Sequence, residues 1–171
     1  LKLIRVKEMF LLMEKRYDVL IVGIGVGGLY TALSLPEDVS VLVLSKKSDT
    51  LSNSNLAQGG VAAVLSFEND SFDLHYEDTM IAGSRENDPD AVNVLVHEGP
   101  DDVRKIMQYG VDFDKNPDGT VQKTLEGGHC RRRIVHHRDT TGAEIVKKLL
   151  EEVHRRKNIT QVPNSLVYKL E

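Results

Sequence analysis

Tyr17-Asp-Val-Leu-Ile-Val-Gly-Ile-Gly-Val-Gly-Gly28 decides the fold of this chain. The apolar run from Val19 to Val22 reads as a strand buried on both faces, and it leads into Gly23-x-Gly25-x-x-Gly28. A helical pattern follows over 27–35, with Leu29, Ala32, Leu33 and Leu35 on its apolar side and Pro36 as its stop. In such a strand–turn–helix, Gly23 permits the tight turn, Gly25 lets backbone approach a phosphate, and Gly28 lets helix and strand pack closely. The helix N-terminus adds N–H groups and the positive end of a dipole. The stretch therefore reads as a cradle for a dinucleotide pyrophosphate. A glycine-rich turn that serves packing alone is the competing reading.

Residues 39–44, Val-Ser-Val-Leu-Val-Leu, supply a second strand and complete a right-handed βαβ unit with a parallel pair. The expected fold class is α/β, a Rossmann-like domain with added helices and short strands. Residues 45–55 are polar and loop-like, and residues 56–64 are mostly small. Helices are expected over 72–82 and 88–109, the second split near Gly99-Pro100. Strands over 111–113 and 120–125 flank the turn Asn116-Pro-Asp-Gly119. Thr141-x-x-Glu144 reads as a capping box opening a helix whose Ile145, Val146, Leu149, Leu150 and Val153 face inward. Strands over 159–162 and 166–170 end the chain.

The 171 residues suffice for one core, and 40% hydrophobic with 28% charged residues is a globular balance. The net charge of −4, with no long basic stretch, excludes nucleic-acid binding by bulk charge. Residues 1–15 read as a frayed extension before a domain at 16–171, with Met9 or Met13 as the expected start. The apolar run 9–13 is too short to span a membrane, and no membrane association is expected. Cys130, the single cysteine, cannot form an internal disulfide and fits a reducing, cytoplasmic setting. His129, His136 and His137 lack partners at ligand spacing, so no metal is expected.

Local chemistry leaves the dinucleotide open. A nicotinamide reader usually carries an acid after the second strand, where this chain has Ser45-Lys46-Lys47. That weakens NAD, while the lysines suit a 2′-phosphate and keep NADP open beside a plain solvated turn. Ser52-Asn53-Ser54-Asn55 and Ala57-Gln58-Gly59-Gly60 combine polar edges with close backbone approach, which suits a broad planar ring such as isoalloxazine. A helix cap with tight packing is the alternative for that patch.

Several separate segments, in one order, carry a resemblance: Gly23-x-Gly25-x-x-Gly28, Leu44-Ser45-Lys46, Asn53-Ser-Asn-Leu-Ala-Gln-Gly-Gly60-Val-Ala-Ala-Val64, Glu77-Asp-Thr-Met-Ile-Ala-Gly83, Glu126-Gly-Gly-His129 and Arg132-Arg-Ile-Val-His136. Together they resemble the L-aspartate oxidase family, within the succinate dehydrogenase and fumarate reductase flavoprotein superfamily. The resemblance implies FAD-dependent oxidation of L-aspartate to iminoaspartate for quinolinate and NAD synthesis. Oxygen or fumarate would accept the electrons, and quinolinate synthase is an expected partner.

The resemblance puts flavin contacts on Gly23, Ile24, Gly25, Val26, Gly27 and Gly28, on Ser45 and Lys46, and on Asn53, Ser54, Asn55, Leu56, Ala57, Gln58, Gly59 and Gly60. Asn53 stands where covalently flavinylated relatives carry histidine, so the FAD is expected to be non-covalent. Glu126 matches the glutamate that orients substrate, with His129 as a second substrate-binding residue. A carboxylate there can pair with the α-ammonium of bound aspartate. The basic cluster of His129, Arg131, Arg132, Arg133, His136 and His137 suits carboxylates or a pyrophosphate. The resemblance also implies a longer polypeptide, making 16–171 the N-terminal part of a FAD-binding domain. A fumarate reductase-like flavoprotein and a catalytically silent FAD-binding remnant are the other readings.

Overall fold

The computed structural model describes residues 15–48 and 52–169. Of the expected extension, residues 1–14 lie outside the described residues, whereas Lys15 sits over the Tyr17 ring at 5.0 Å. The chain divides into two compact units, Leu1–Leu56 with Ile145–Glu171, and Ala57–Glu144.

The first unit is built on β1 (Val19–Val22), α1 (Val26–Ser34), β2 (Val41–Leu44), the single turn α2 (Asn53–Leu56) and β5 (Ile159–Val162). The three strands are parallel in the order β1-β2-β5, with Val22 opposite Leu44 and Leu44 opposite Val162. Their carboxyl ends therefore share one edge. Leu29, Ala32 and Leu33 of α1 are buried, as are Val41 and Val43 of β2. The last long helix, α5 (Thr141–Arg155), begins in the second unit and continues into the first. It buries Ile145, Val146, Leu149 and Val153 at helical spacing.

The second unit holds β3 (Val61–Ala62), α3 (Phe72–Ala82), α4 (Pro89–Gln108) and β4 (Ile134–Val135). Ser71 caps α3, its Oγ accepting the Leu74 N–H at 3.2 Å. Asp88 caps α4 by accepting from Asp90 and Ala91 N–H, and Pro89 opens it. Met80, Val92 and Val96 join the two helices, with Phe72 and Tyr76 packed against them.

Five expectations are corrected. The α4 helix is continuous through Pro100, because Val92, Val96, Pro100, Val103 and Ile106 form one buried stripe. That stripe outweighs the lost hydrogen bond, a cost of about 3 kcal/mol. Residues 111–113 and 120–125 make no strands; isolated bridges form at Lys115–Val121 and Thr124–Ile134. The turn between them does form, with Gly119 donating to Asn116 O at 2.9 Å. Residues 166–169 are irregular, and Leu170 lies outside the described residues. The capping box is also absent: Thr141 is buried and its Oγ1 accepts the His137 N–H, while Glu144 Oε1 accepts from Asp112 N–H. The β1 run, in addition, is not buried throughout, since Leu20 and Val22 are exposed on one face of an edge strand.

Gly28 is where the βαβ unit is tightest. A Cβ on Gly28 would overlap the Gly23 carbonyl oxygen and crowd the Ile21 side chain, whereas one on Gly27 meets nothing within 4 Å. Gly28→Ala is expected to destabilise by about 1–3 kcal/mol through overpacking. Gly27→Ala is expected to be neutral or stabilising by a few tenths of a kcal/mol, as a better helix former in open space. Urea unfolding of both variants checks the contrast, and equal effects would refute it.

Candidate functional site

Within the first unit, the sheet edge assembles the predicted cradle from three segments. Gly23 adopts a φ of +112°, a conformation that side chains resist, and its N–H donates to Leu44 O at 2.8 Å. That bond ties the glycine turn to the end of β2, directly before Ser45 and Lys46. The first bond of the helix ladder runs from Leu29 N–H to Gly25 O, so the N–H groups of 26–28 precede it. Ser54 on α2 reaches this point, with its Oγ accepting the Val26 N–H at 3.1 Å. A Cβ on Gly25 would stand 3.1 Å from the same oxygen.

These features fit a pyrophosphate. The glycines of the turn bring no side chains of their own to where an anion must approach, while the Ser54 hydroxyl takes the Val26 N–H. Lys46 is exposed beside the cradle's strand edge. Ser45 is buried, and its Oγ donates to Lys47 O at 2.8 Å. Its side chain thus shapes the turn, and Lys46 and Lys47 are left exposed.

The remaining predicted residues lie in the second unit. Ala57, Gln58 and Gly59 are exposed, and Ala57 O accepts the Gly142 N–H at 3.0 Å. Gly60 is different: a Cβ there would overlap Ile134 Cγ2 and stand 2.6 Å from Val135 O. Its missing side chain admits β4 against β3. Glu126 and His129 end one tight turn, closed by the His129 N–H to Glu126 O bond at 3.2 Å. Gly128, at φ +82°, supplies the left-handed residue that turn needs. The Glu126 carboxylate is exposed and makes no hydrogen bond with any described residue.

Behind this turn lies a buried ionic cluster that the sequence reading missed. Arg133 has no exposed surface. Its Nε and Nη2 donate to both oxygens of Asp70 at 2.9 and 2.7 Å, and its Nη1 donates to Asp78 Oδ2. Asp78 Oδ2 also accepts the Cys130 N–H at 2.9 Å, and Arg133 Nη1 lies 3.1 Å from His129 Nδ1. The expected basic cluster is therefore dispersed. Arg133 is committed internally, His136 sits 2.9 Å from Asp114, and the His137 ring faces the Asp112 carbonyl. Arg131 and Arg132 remain exposed, and with Lys123 and Glu68 they line a cavity of about 460 Å³.

The electrostatics follow from burial and pairing. Burial works to raise the Asp70 and Asp78 pKa values. For Asp70, Arg133 and the Ser71 N–H overcome that and hold it below the ordinary carboxylate value; for Asp78, the Cys130 N–H and Arg133 do the same. His75, 2% exposed, is pushed down to about 4, chiefly by burial and then by the Arg133 charge. Its Nδ1 is buried without a hydrogen-bond partner.

A neutral buried histidine gives a signed prediction. Between pH 6.5 and about 4 the unfolded chain binds a proton at His75 that the folded chain does not. Stability therefore falls as pH falls through that window, by up to about 1.4 kcal/mol per unit. Urea midpoints measured from pH 8 to 4 are expected to show this slope. His75→Leu is expected to flatten it by about one proton, and an unchanged slope in the variant would refute the assignment. The carboxylates act lower: their contribution is lost as pH falls below the ordinary value of 3.8.

Among the described residues no group of three or more His, Cys, Asp or Glu is placed to hold a metal ion. No described helix is long and apolar enough to cross a membrane. Comparison with known proteins adds the lineage. The chain is 48% identical over 147 residues to the L-aspartate oxidase of Clostridium perfringens, covering 86% of this chain and 33% of that protein. It is 42% identical over 155 residues to the L-aspartate oxidase of Nostoc sp., covering 91% of this chain and 26% of that protein. The chain thus spans a third or less of the length of these two relatives. Among solved structures, the E. coli quinol fumarate reductase carrying an E245Q mutation superposes with a TM-score of 0.82 at 28% identity, over 86% of this chain and 26% of that one. The FAD binding domain family matches residues 18–171. The chain belongs to that family, and FAD, not the NADP that Lys46 and Lys47 had left open, is its dinucleotide.

Proposed function

We propose that the chain is the flavin-holding segment of an L-aspartate oxidase, which converts L-aspartate to iminoaspartate. The observation that carries this reading is the glycine cradle at the sheet edge. Support also comes from the 42–48% identity to the two L-aspartate oxidases over most of this chain. Gly23, Gly25, Val26, Gly27, Gly28 and Ser54 would hold the pyrophosphate, with Ile24 and Lys46 beside them. Asn53, Asn55, Leu56, Ala57, Gln58, Gly59 and Gly60 would serve the rest of the cofactor. Asn53 offers no imidazole for a covalent link, which supports non-covalent binding.

When bound, FAD supplies the two-electron acceptor for hydrogen leaving the substrate Cα. The chain's own residues orient and deprotonate. Glu126, exposed and unpaired on its turn, accepts hydrogen bonds from the substrate α-ammonium and can take its proton. His129, on the same turn, meets a substrate carboxylate. Oxygen or fumarate would take the electrons onward, and quinolinate synthase would consume the product. A cytoplasmic setting agrees with the exposed lone thiol of Cys130.

A second reading, action on succinate or fumarate, has support from the structural likeness to the E. coli quinol fumarate reductase. The two separate by substrate: L-aspartate oxidation with no succinate oxidation supports the first, and the reverse overturns it. Two variants test the site. Gly25→Val is expected to abolish flavin retention, read as loss of flavin absorbance, with the circular dichroism spectrum unchanged. Retained flavin would refute the cradle. Glu126→Gln is expected to lower aspartate oxidation by about 10²-fold with flavin retention intact. Equal loss of both would make Glu126 a structural residue.

A further inference from the structure

Arg133 is a costly residue to bury, and two carboxylates account for only part of its donor set. Burial alone would pull the guanidinium pKa down, but the hydrogen bonds and charges of Asp70 and Asp78 push it above the ordinary arginine value. It is always charged and has donors but no acceptor. Nη1 carries two hydrogens. One goes to Asp78 Oδ2, and the other faces His129 Nδ1 at 3.1 Å. At that contact Arg133 can only donate, so His129 Nδ1 must accept. In a neutral imidazole, an accepting Nδ1 places the ring proton on Nε2.

The other side of the ring is open. His129 Nε2 makes no hydrogen bond with a described residue and is not among the buried polar atoms left without one. It is therefore not fully enclosed, and His129, half-buried, stands on the same tight turn that presents the exposed Glu126 carboxylate. The turn is held from behind at two points, Cys130 N–H on Asp78 and His129 Nδ1 on Arg133, and Asp78 itself is fixed by Arg133.

We propose that Arg133 is a positioning residue that fixes His129 as the Nε2–H tautomer, making its outer nitrogen a hydrogen-bond donor to a substrate carboxylate. The opposite tautomer would present a lone pair there and repel an anion. This rests on the reading that the Glu126 turn meets substrate, and it deepens it: one end of the turn accepts from an ammonium and the other donates to a carboxylate. A site of that polarity takes an amino-dicarboxylic acid in one orientation.

The ring itself gives the test. In the uniformly ¹⁵N-labelled chain near pH 8, nitrogen–carbon-proton correlation spectra distinguish the tautomers, and His129→Asn assigns the signal. The Nε2–H pattern at His129 is expected. An Nδ1–H pattern, or an average of the two, would overturn the proposal with no variant needed. Arg133→Lys, which keeps the charge but loses the fork, is expected to restore averaging; a pure Nε2–H pattern in a folded Arg133→Lys protein would also overturn it.

Succinate, titrated into the flavin-loaded chain, tests the carboxylate contact. His129→Gln, whose amide reaches the Nε2 position, is expected to bind it about tenfold more tightly than His129→Asn, whose amide reaches only Nδ1. Equal binding by the two variants refutes a donor role at Nε2. Flavin absorbance separates the failures. A wrong tautomer in a protein that holds FAD sinks this inference alone, whereas a protein that never takes up FAD sinks the reading of the site.

Discussion

A carbonyl oxygen, that of Gly23, occupies the space where a side chain on residue 28 would begin. This contact lets α1 start directly over the end of β1. It requires that residue 28 carry no Cβ and that residue 23 adopt φ +112°. With both met, the Gly23 N–H reaches Leu44 O, and β1 and β2 end in register. The N–H groups that begin α1 then open at the carboxyl edge of a parallel sheet, where such folds bind ligands. Anion binding at this edge depends on that geometry, because an anion needs backbone donors and room to approach them.

The second unit rests on a different kind of constraint. Its buried core includes Met80, Val92, Val96, Phe113, Ile134 and Val135, but behind the Glu126 turn it holds charges. A buried ion pair gains little net stability over an apolar substitute, since desolvation offsets most of the attraction. Losing one partner is another matter, as it strands a charge. Such a cluster fixes geometry more than it adds stability. Here two carboxylates from one helix and the loop before it clamp a single arginine, and the arginine and one carboxylate together hold residues 129 and 130. His75 lies at the same place, 5.7 Å ring to ring from His129, and burial keeps it neutral at physiological pH. A charged His75 would add a second cation beside Arg133.

The first unit was legible in the sequence because its signals are local. Val19 to Val22, the glycine spacing and Val41 to Leu44 each declare themselves within a few residues. The parallel strand at 159–162 was legible from its apolar run after a helix. Failures came where tertiary contacts decide. Pro100 looked like a break, yet the stripe from Val92 to Ile106 holds one helix across it. β3 and β4 are two residues each, too short for any periodicity, and they pair across more than seventy positions. The basic run at 131–133 read as one cluster, but the fold buries Arg133 along with Ile134 and Val135 and leaves Arg131 and Arg132 outside. Asp70 and Asp78, its partners, are ordinary surface residues by sequence; only the fold places them. The signal available in advance was the excess of acids in 68–78 facing an excess of bases in 129–138, which points to pairing without naming the pairs.

Gly127 and Gly128 show how the site and the fold divide a motif. Both lie in the Glu126-Gly-Gly-His129 segment that carries the resemblance. Gly128 adopts a left-handed φ, so its conformation is the reason it is glycine. Gly127 has open space around its missing Cβ and a φ outside the left-handed region, so neither packing nor strain demands it. The fold thus accounts for one of the two. The same division separates Gly60, whose Cβ would strike β4, from Gly59, which has nothing within 4 Å. Open space at Gly27, Gly59 and Gly127 means that packing does not demand glycine there, as it does not at Gly99 inside α4.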